Sequence, residues 1–189
     1  MSQKRKSETK KTTGFKLTKG FGLIMALAVT VVSMTAVLAS RNGQVGEEIA
    51  IMADYSHVPE GSDPNPYNSN PPTSGLHYAD DLKAGFYEEN TYQYPEGYLV
   101  HNLEHGYVIF WYNCSLLEEV ACAALKGQMR ASMEAANNYK VIAYPWEKTD
   151  VPLVLTSWGR RMALVNYDAR AVAEFIQNNQ NKAPEPHAD

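Results

Sequence analysis

Apolar positions fall into two separate regimes along the 189-residue chain. From Phe21 to Ala39 the sequence FGLIMALAVTVVSMTAVLA runs nineteen residues without a charge. A helix of that length extends ~29 Å at 1.5 Å per residue, which matches the hydrocarbon thickness of a bilayer. Beyond it the apolar residues are periodic. Ile49 to Tyr55 has enough of them to begin a fold as a strand. Tyr107 to Tyr112, YVIFWY, bounded by Gly106 and Asn113, reads as a central strand buried on both faces. From Leu116 to Asn137, Leu117, Val120, Ala121, Ala124, Leu125, Met129 and Met133 recur at helical spacing, with Gln128 as the polar interruption. Tyr139–Tyr144, Leu153–Trp158 and Arg161–Val165 read as strands, and Asp168 is the N-cap of a last helix running to about Asn179.

This order predicts an α+β domain: a single open mixed sheet of about four to six strands with two main helices packed on it, preceded by one N-terminal transmembrane helix. The rhythm is weakly thioredoxin-like, and Val151-Pro152 sits where such folds place a cis-proline. The connection from Tyr144 to Leu153, however, is too short for the helix that fold needs. Between His57 and Pro72 the run HVPEGSDPNPYNSNPP holds five prolines, which excludes regular structure and predicts an ordered loop laid across the surface.

Charge divides the chain further. Met1 to Lys19 carries seven basic residues (Lys4, Arg5, Lys6, Lys10, Lys11, Lys16 and Lys19) against one acid, Glu8, leaving ten basic and twenty acidic groups elsewhere. Lys/Arg-rich flanks of membrane helices lie in the cytoplasm. The expected organisation is therefore a basic cytoplasmic tail (1–19), a membrane anchor (20–40), a polar tether (41–48), a globular extracytoplasmic domain (49–180) and a polar tail (181–189). The lipid bilayer is the expected partner of residues 21–39. Val37-Leu38-Ala39 also resembles a signal cleavage site, so a cleaved export signal is the competing reading, although an h-region is usually only ~7 to 15 residues long. A domain this acidic repels nucleic acid, which is excluded as a partner.

The two cysteines, Cys114 and Cys122, follow the anchor, and an even number in an oxidising compartment suggests a disulfide. That bridge requires a loop between them, because eight residues of helix cover ~12 Å while bridged Cα atoms lie within about 7 Å. Ser115-Leu-Leu-Glu118 reads as a capping box that starts a helix too early, which keeps the alternative open.

Three of the five histidines stand in unusual settings: His77 in PPTSGLHY, and His101 and His105 in LVHNLEHG. Four residues of strand would separate His101 from His105 by ~13 Å, whereas one helical turn brings their Cβ atoms to roughly 5 to 6 Å. Shared metal ligation therefore demands a helical turn over Tyr98–His105, which Pro95 can start and Gly106 can end. With His77 as third ligand the set suits zinc or copper; a sulfur from Met129, Met133 or Met162 as fourth favours copper. His101-Asn-Leu-Glu104-His105 also spells H-x-x-E-H, the zinc-peptidase motif with Glu104 as base. The structural alternative has the histidines bonding loop carbonyls and pinning the proline-rich segment to the sheet. Trp158-Gly159-Arg160 reads as a hairpin turn with Gly159 at positive φ, or as a partner site.

The segments HVPEG at His57, YNSNPPTSGLHY at Tyr67, LVHNLEHGYVIFWYNC at Leu99 and LTSWGRRM at Leu155 resemble the signature of domain of unknown function 3105. This bacterial family is usually found behind one N-terminal hydrophobic segment. The resemblance covers nearly everything from Met52 to Ile176 and implies no activity. The leading functional expectation is a membrane-anchored domain that binds copper or zinc through His77, His101 and His105 without assigned catalysis. The alternatives are a non-enzymatic subunit of a membrane protein complex with structural histidines, and a zinc peptidase.

Overall fold

In the computed structural model, which describes residues 43–188, the elements are β1 (Glu47–Glu48), β2 (Gly85–Phe86), α1 (Pro95–Glu104), β3 (Val108–Tyr112), a 3-10 turn (Cys114–Leu116), α2 (Glu119–Ala135), β4 (Val141–Pro145), β5 (Leu153–Ser157), β6 (Arg160–Leu164) and α3 (Ala169–Asn179). The strands form one open mixed sheet in the order β1-β6-β5-β3-β4-β2. β3 pairs parallel with β4 and antiparallel with β5, while β2 adds parallel to β4 and β1 antiparallel to β6. The domain is α+β, with three helices among the described residues rather than two. The basic tail and the hydrophobic segment 21–39 lie outside the described residues. Among the described residues no helix is long and apolar enough to cross a membrane.

All five residues of β3 are buried, and alternation sends them to two cores. Val108, Phe110 and Tyr112 face Leu125, Met129 and Met133 of α2 and Val172, Phe175 and Ile176 of α3. Ile109 and Trp111 face Leu99, Val100 and Leu103 of α1 on the other side. The i, i+4, i+8 spacing on α2 and the i, i+3, i+4 spacing on α3 supply the stripes that cover the first face. Asp168 caps α3, its carboxylate accepting hydrogen bonds from the backbone N–H groups of Arg170 and Ala171.

Several expected boundaries shift. Ile49 to Tyr55 is not a strand; the edge strand is Glu47–Glu48, inside the expected tether, because its pairing is supplied by Arg160 and Arg161 of β6. Residues of the expected polar tail are tied to the domain, with the Asn181 N–H donating to the Gly106 carbonyl and the Glu185 N–H to that of Glu104. The cis peptide bonds are Asn65-Pro66 and Asn70-Pro71, not Val151-Pro152, so the thioredoxin-like landmark is absent. α2 begins at Glu119 rather than Ser115, whose hydroxyl instead bonds the Asn113 carboxamide at the head of the 3-10 turn. Extended backbone at Leu117 and Glu118 then separates the turn from the helix. Cys114 and Cys122 are disulfide-bonded with Cα atoms 5.4 Å apart.

Candidate functional site

Four histidines converge where α1 meets the proline-rich loops. His57 and His77 are neighbours through an isolated parallel β-bridge, with the Val58 N–H donating to the His77 carbonyl at 2.8 Å and the His77 N–H to the Ser56 carbonyl at 3.3 Å. Their rings stand edge-on with centroids 4.8 Å apart. Pro95 starts α1, and Gly106, at φ 83°, ends it in a conformation that favours glycine. The intervening turns carry His101 and place His105 at the C-terminal cap, supplying the helical turn that shared ligation demands. Asn102 fixes α1 against the preceding loop: its carboxamide accepts from the Leu82 N–H and donates to the Leu82 carbonyl and to Asp81. The Tyr78 N–H donates to the Gly97 carbonyl, so His77 is anchored at the helix as well as at the bridge.

One ring nitrogen from each of His57, His77 and His101 lies within 4.8 Å of the other two. Four-coordinate ligands at ~2.0 Å from one ion sit roughly 3.4 Å apart, so an ion draws this group slightly inward. His57 is exposed on its loop and has room to close, whereas His77 and His101 are buried. The group adjoins a cleft of about 450 Å³ lined in part by Tyr55, His57, Glu104 and Glu185.

The protonation geometry is restrictive. His77 Nδ1 lies 2.9 Å from the Gly75 carbonyl, which only accepts, so Nδ1 carries the proton. His77 Nε2 then points at Glu104 Oε2, 3.0 Å away, but without the alignment of a hydrogen bond. A neutral His77 therefore sets a lone pair against a carboxylate inside the protein, which a cation between or beside them relieves. His101 Nε2 lies 2.9 Å from His105 Nε2, so one donates and the other accepts. The Nδ1 of His101 is buried and without a well-aligned partner. Burial, reinforced by His105, His77 and His57 and weakly opposed by the Tyr78 backbone, pushes the His101 imidazole down to about 4, so the ring is neutral at neutral pH.

His105 meets His101 but stands outside the three-ring group, flanked by Asp81 Oδ2 at 3.9 Å and Glu185 Oε2 at 3.7 Å. The expected sulfur donors are elsewhere. Met129 and Met133 are buried against the opposite face of the sheet, where Met162 also packs. The methionines fill a core because they share the helical stripe and strand face of Leu125 and Leu164. Trp158 and Gly159 form the β5–β6 turn, Gly159 at φ 67°, and Arg160 pairs with Glu48 at 3.0 Å. Trp158 is buried against the Tyr55 ring. His57 is the residue sequence reasoning missed, because its partner His77 is brought to it only by the long-range bridge.

The family described as Protein of unknown function (DUF3105) has a model that matches residues 57–189, most of the chain. No curated protein and no solved structure matches it.

Proposed function

The chain belongs to the DUF3105 family, whose description assigns no activity, and from the site alone we propose that it binds one transition-metal ion, zinc or copper, through His57, His77 and His101. The observation that carries this reading is the convergence of ring nitrogens from His57, His77 and His101, with His77 Nδ1 turned to the Gly75 carbonyl and its Nε2 facing the buried Glu104 carboxylate. Three imidazoles with a neighbouring carboxylate form a nitrogen–oxygen donor set, suited to zinc or Cu(II). Exposed His57 and the adjoining cleft leave a coordination position reachable by water.

The same reading holds the domain outside the cytoplasm, behind residues 21–39. The Cys114–Cys122 bridge supports this, since disulfides persist in oxidising compartments, as does the basic N-terminal flank. The peptidase alternative draws no support from this geometry: His105 is outside the group, and Glu104 lies against His77.

The test is metal stoichiometry on purified full-length protein dialysed against Zn²⁺ or Cu²⁺. The wild type is expected to retain about one equivalent, His77→Ala and His101→Ala to lose it, His57→Ala to bind more weakly, and His105→Ala to keep the stoichiometry. Wild-type protein that retains no more metal than the His77→Ala variant refutes the reading.

A second reading has one observation in its favour. At 3.0 Å, a protonated His77 and Glu104 also make a buried ion pair, which locks the loop to α1 without a metal. On this reading the domain is a non-enzymatic subunit of a membrane complex, and folding and partner binding survive complete metal removal.

A further inference from the structure

A second cleft, sharing no residue with the histidine group, lies between the proline-rich loop and the β4–β5 connection. It encloses about 430 Å³, within the range of small-molecule sites, and Asn65, Asn68, Asn70, Glu96, Trp146 and Lys148 line it. Glu96 is 2% exposed, in the first turn of α1. Its Oε2 is buried and accepts no hydrogen bond. Its Oε1 receives only a long 3.4 Å contact from Asn65 Nδ2 and lies 3.7 Å from Lys148 Nζ. A buried carboxylate with so little compensation is costly to the fold, and a donor that completes it lowers that cost.

The surrounding groups specify that ligand. The carboxamide nitrogens of Asn65, Asn68 and Asn70 already donate to Asp63, the Ala50 carbonyl and the Lys148 carbonyl, and the Trp146 indole N–H donates to Asn70 Oδ1. Each of these nitrogens already has a partner in the chain, and the Glu96 carboxylate is left as an acceptor. The Lys148 ammonium also lies 4.3 Å from the centroid of the Trp146 ring, and its side chain is 65% exposed. An aromatic face beside a carboxylate is a recognition pattern for ammonium groups. Here the chain's own lysine reaches it from the rim without a hydrogen bond to the carboxylate.

We propose that this cleft binds a small organic cation bearing N–H donors, an alkylammonium or guanidinium group, which hydrogen-bonds Glu96 and displaces the Lys148 ammonium from the Trp146 face. Lys148 is then an intramolecular competitor, and removing it raises apparent affinity by the reciprocal of the fraction of time the site is free of it.

Calorimetric titration of the purified full-length protein with ethylammonium, guanidinium and tetramethylammonium chlorides at constant ionic strength tests this. Saturable binding of the first two is expected, with tetramethylammonium weaker because it has no N–H to donate. Lys148→Gln is expected to tighten binding about tenfold, and Glu96→Gln to weaken it by at least about tenfold, a factor of ten being 1.4 kcal/mol. Because Glu96→Gln can disturb α1, the rim variant Lys148→Gln keeps the test independent of folding. No saturable binding in either wild type or Lys148→Gln overturns the proposal, as does weaker binding in Lys148→Gln.

Discussion

His77 Nε2 and Glu104 Oε2 lie 3.0 Å apart in the interior, while the Nδ1 of the same ring is spent on the Gly75 carbonyl. A metal ion and a proton are the two ways of making that approach favourable, and Glu104→Gln separates them. With an ion bound, the substitution removes a neighbouring charge and is expected to lower zinc affinity about 10- to 100-fold. With a proton, it breaks the buried pair and lowers stability whether or not metal is present. Competitive zinc titration and thermal denaturation of the same variant distinguish the two outcomes.

Metal-stripped protein should lose stability as the solution is acidified. The His101 imidazole is pushed down to about 4 by burial and by its neighbouring rings, whereas the unfolded chain titrates near 6.5. Between those values the unfolded state binds more protons, so this contribution is present above pH 6.5 and disappears as the pH falls toward 4. Urea denaturation of wild type and His101→Ala across that window is expected to show a shallower acid slope in the variant.

Thr156 supports the core beneath the site. Its hydroxyl accepts a 2.7 Å hydrogen bond from the Trp111 indole N–H, and both residues are fully buried. Thr156→Val keeps the shape and strands the donor, at an expected cost of about 1–3 kcal/mol. The check is the shift in denaturation midpoint, with metal stoichiometry unchanged.

The Cys114–Cys122 bridge closes a short loop beside the opposite core. Replacing both cysteines by serine is expected to cost about 2–3 kcal/mol on the loop-entropy estimate. Calorimetry should show a midpoint lower by roughly 5–10 °C for a domain of this size. Metal content should be unaffected, since the bridge and the histidines are on different faces of the sheet.

What local sequence makes legible is what local energetics decides. Val108–Tyr112 is apolar at every position and became the buried central strand, and the Asp168 cap and the Val172, Phe175 and Ile176 stripe define α3 without reference to anything distant. Pro95 and Gly106 bracket α1 in the same way. β1 and β2 are different: each has two residues, and neither carries a pattern of its own, since their strand character comes from Arg160–Arg161 and from Ile142–Ala143 across the sheet. His57 was hidden for the same reason, twenty residues from the ring that its backbone bridge sets beside it. The methionines misled because soft donors and core-filling side chains are the same residue, and only the sheet decides which face they occupy.

Anomalous scattering from crystals of the protein grown with Zn²⁺, recorded on both sides of the zinc edge, addresses the metal centre directly. One strong peak is expected, with ring nitrogens of His57, His77 and His101 at about 2.0–2.1 Å. No peak at that position, or a peak held between His101 and His105 with His57 turned away, contradicts it.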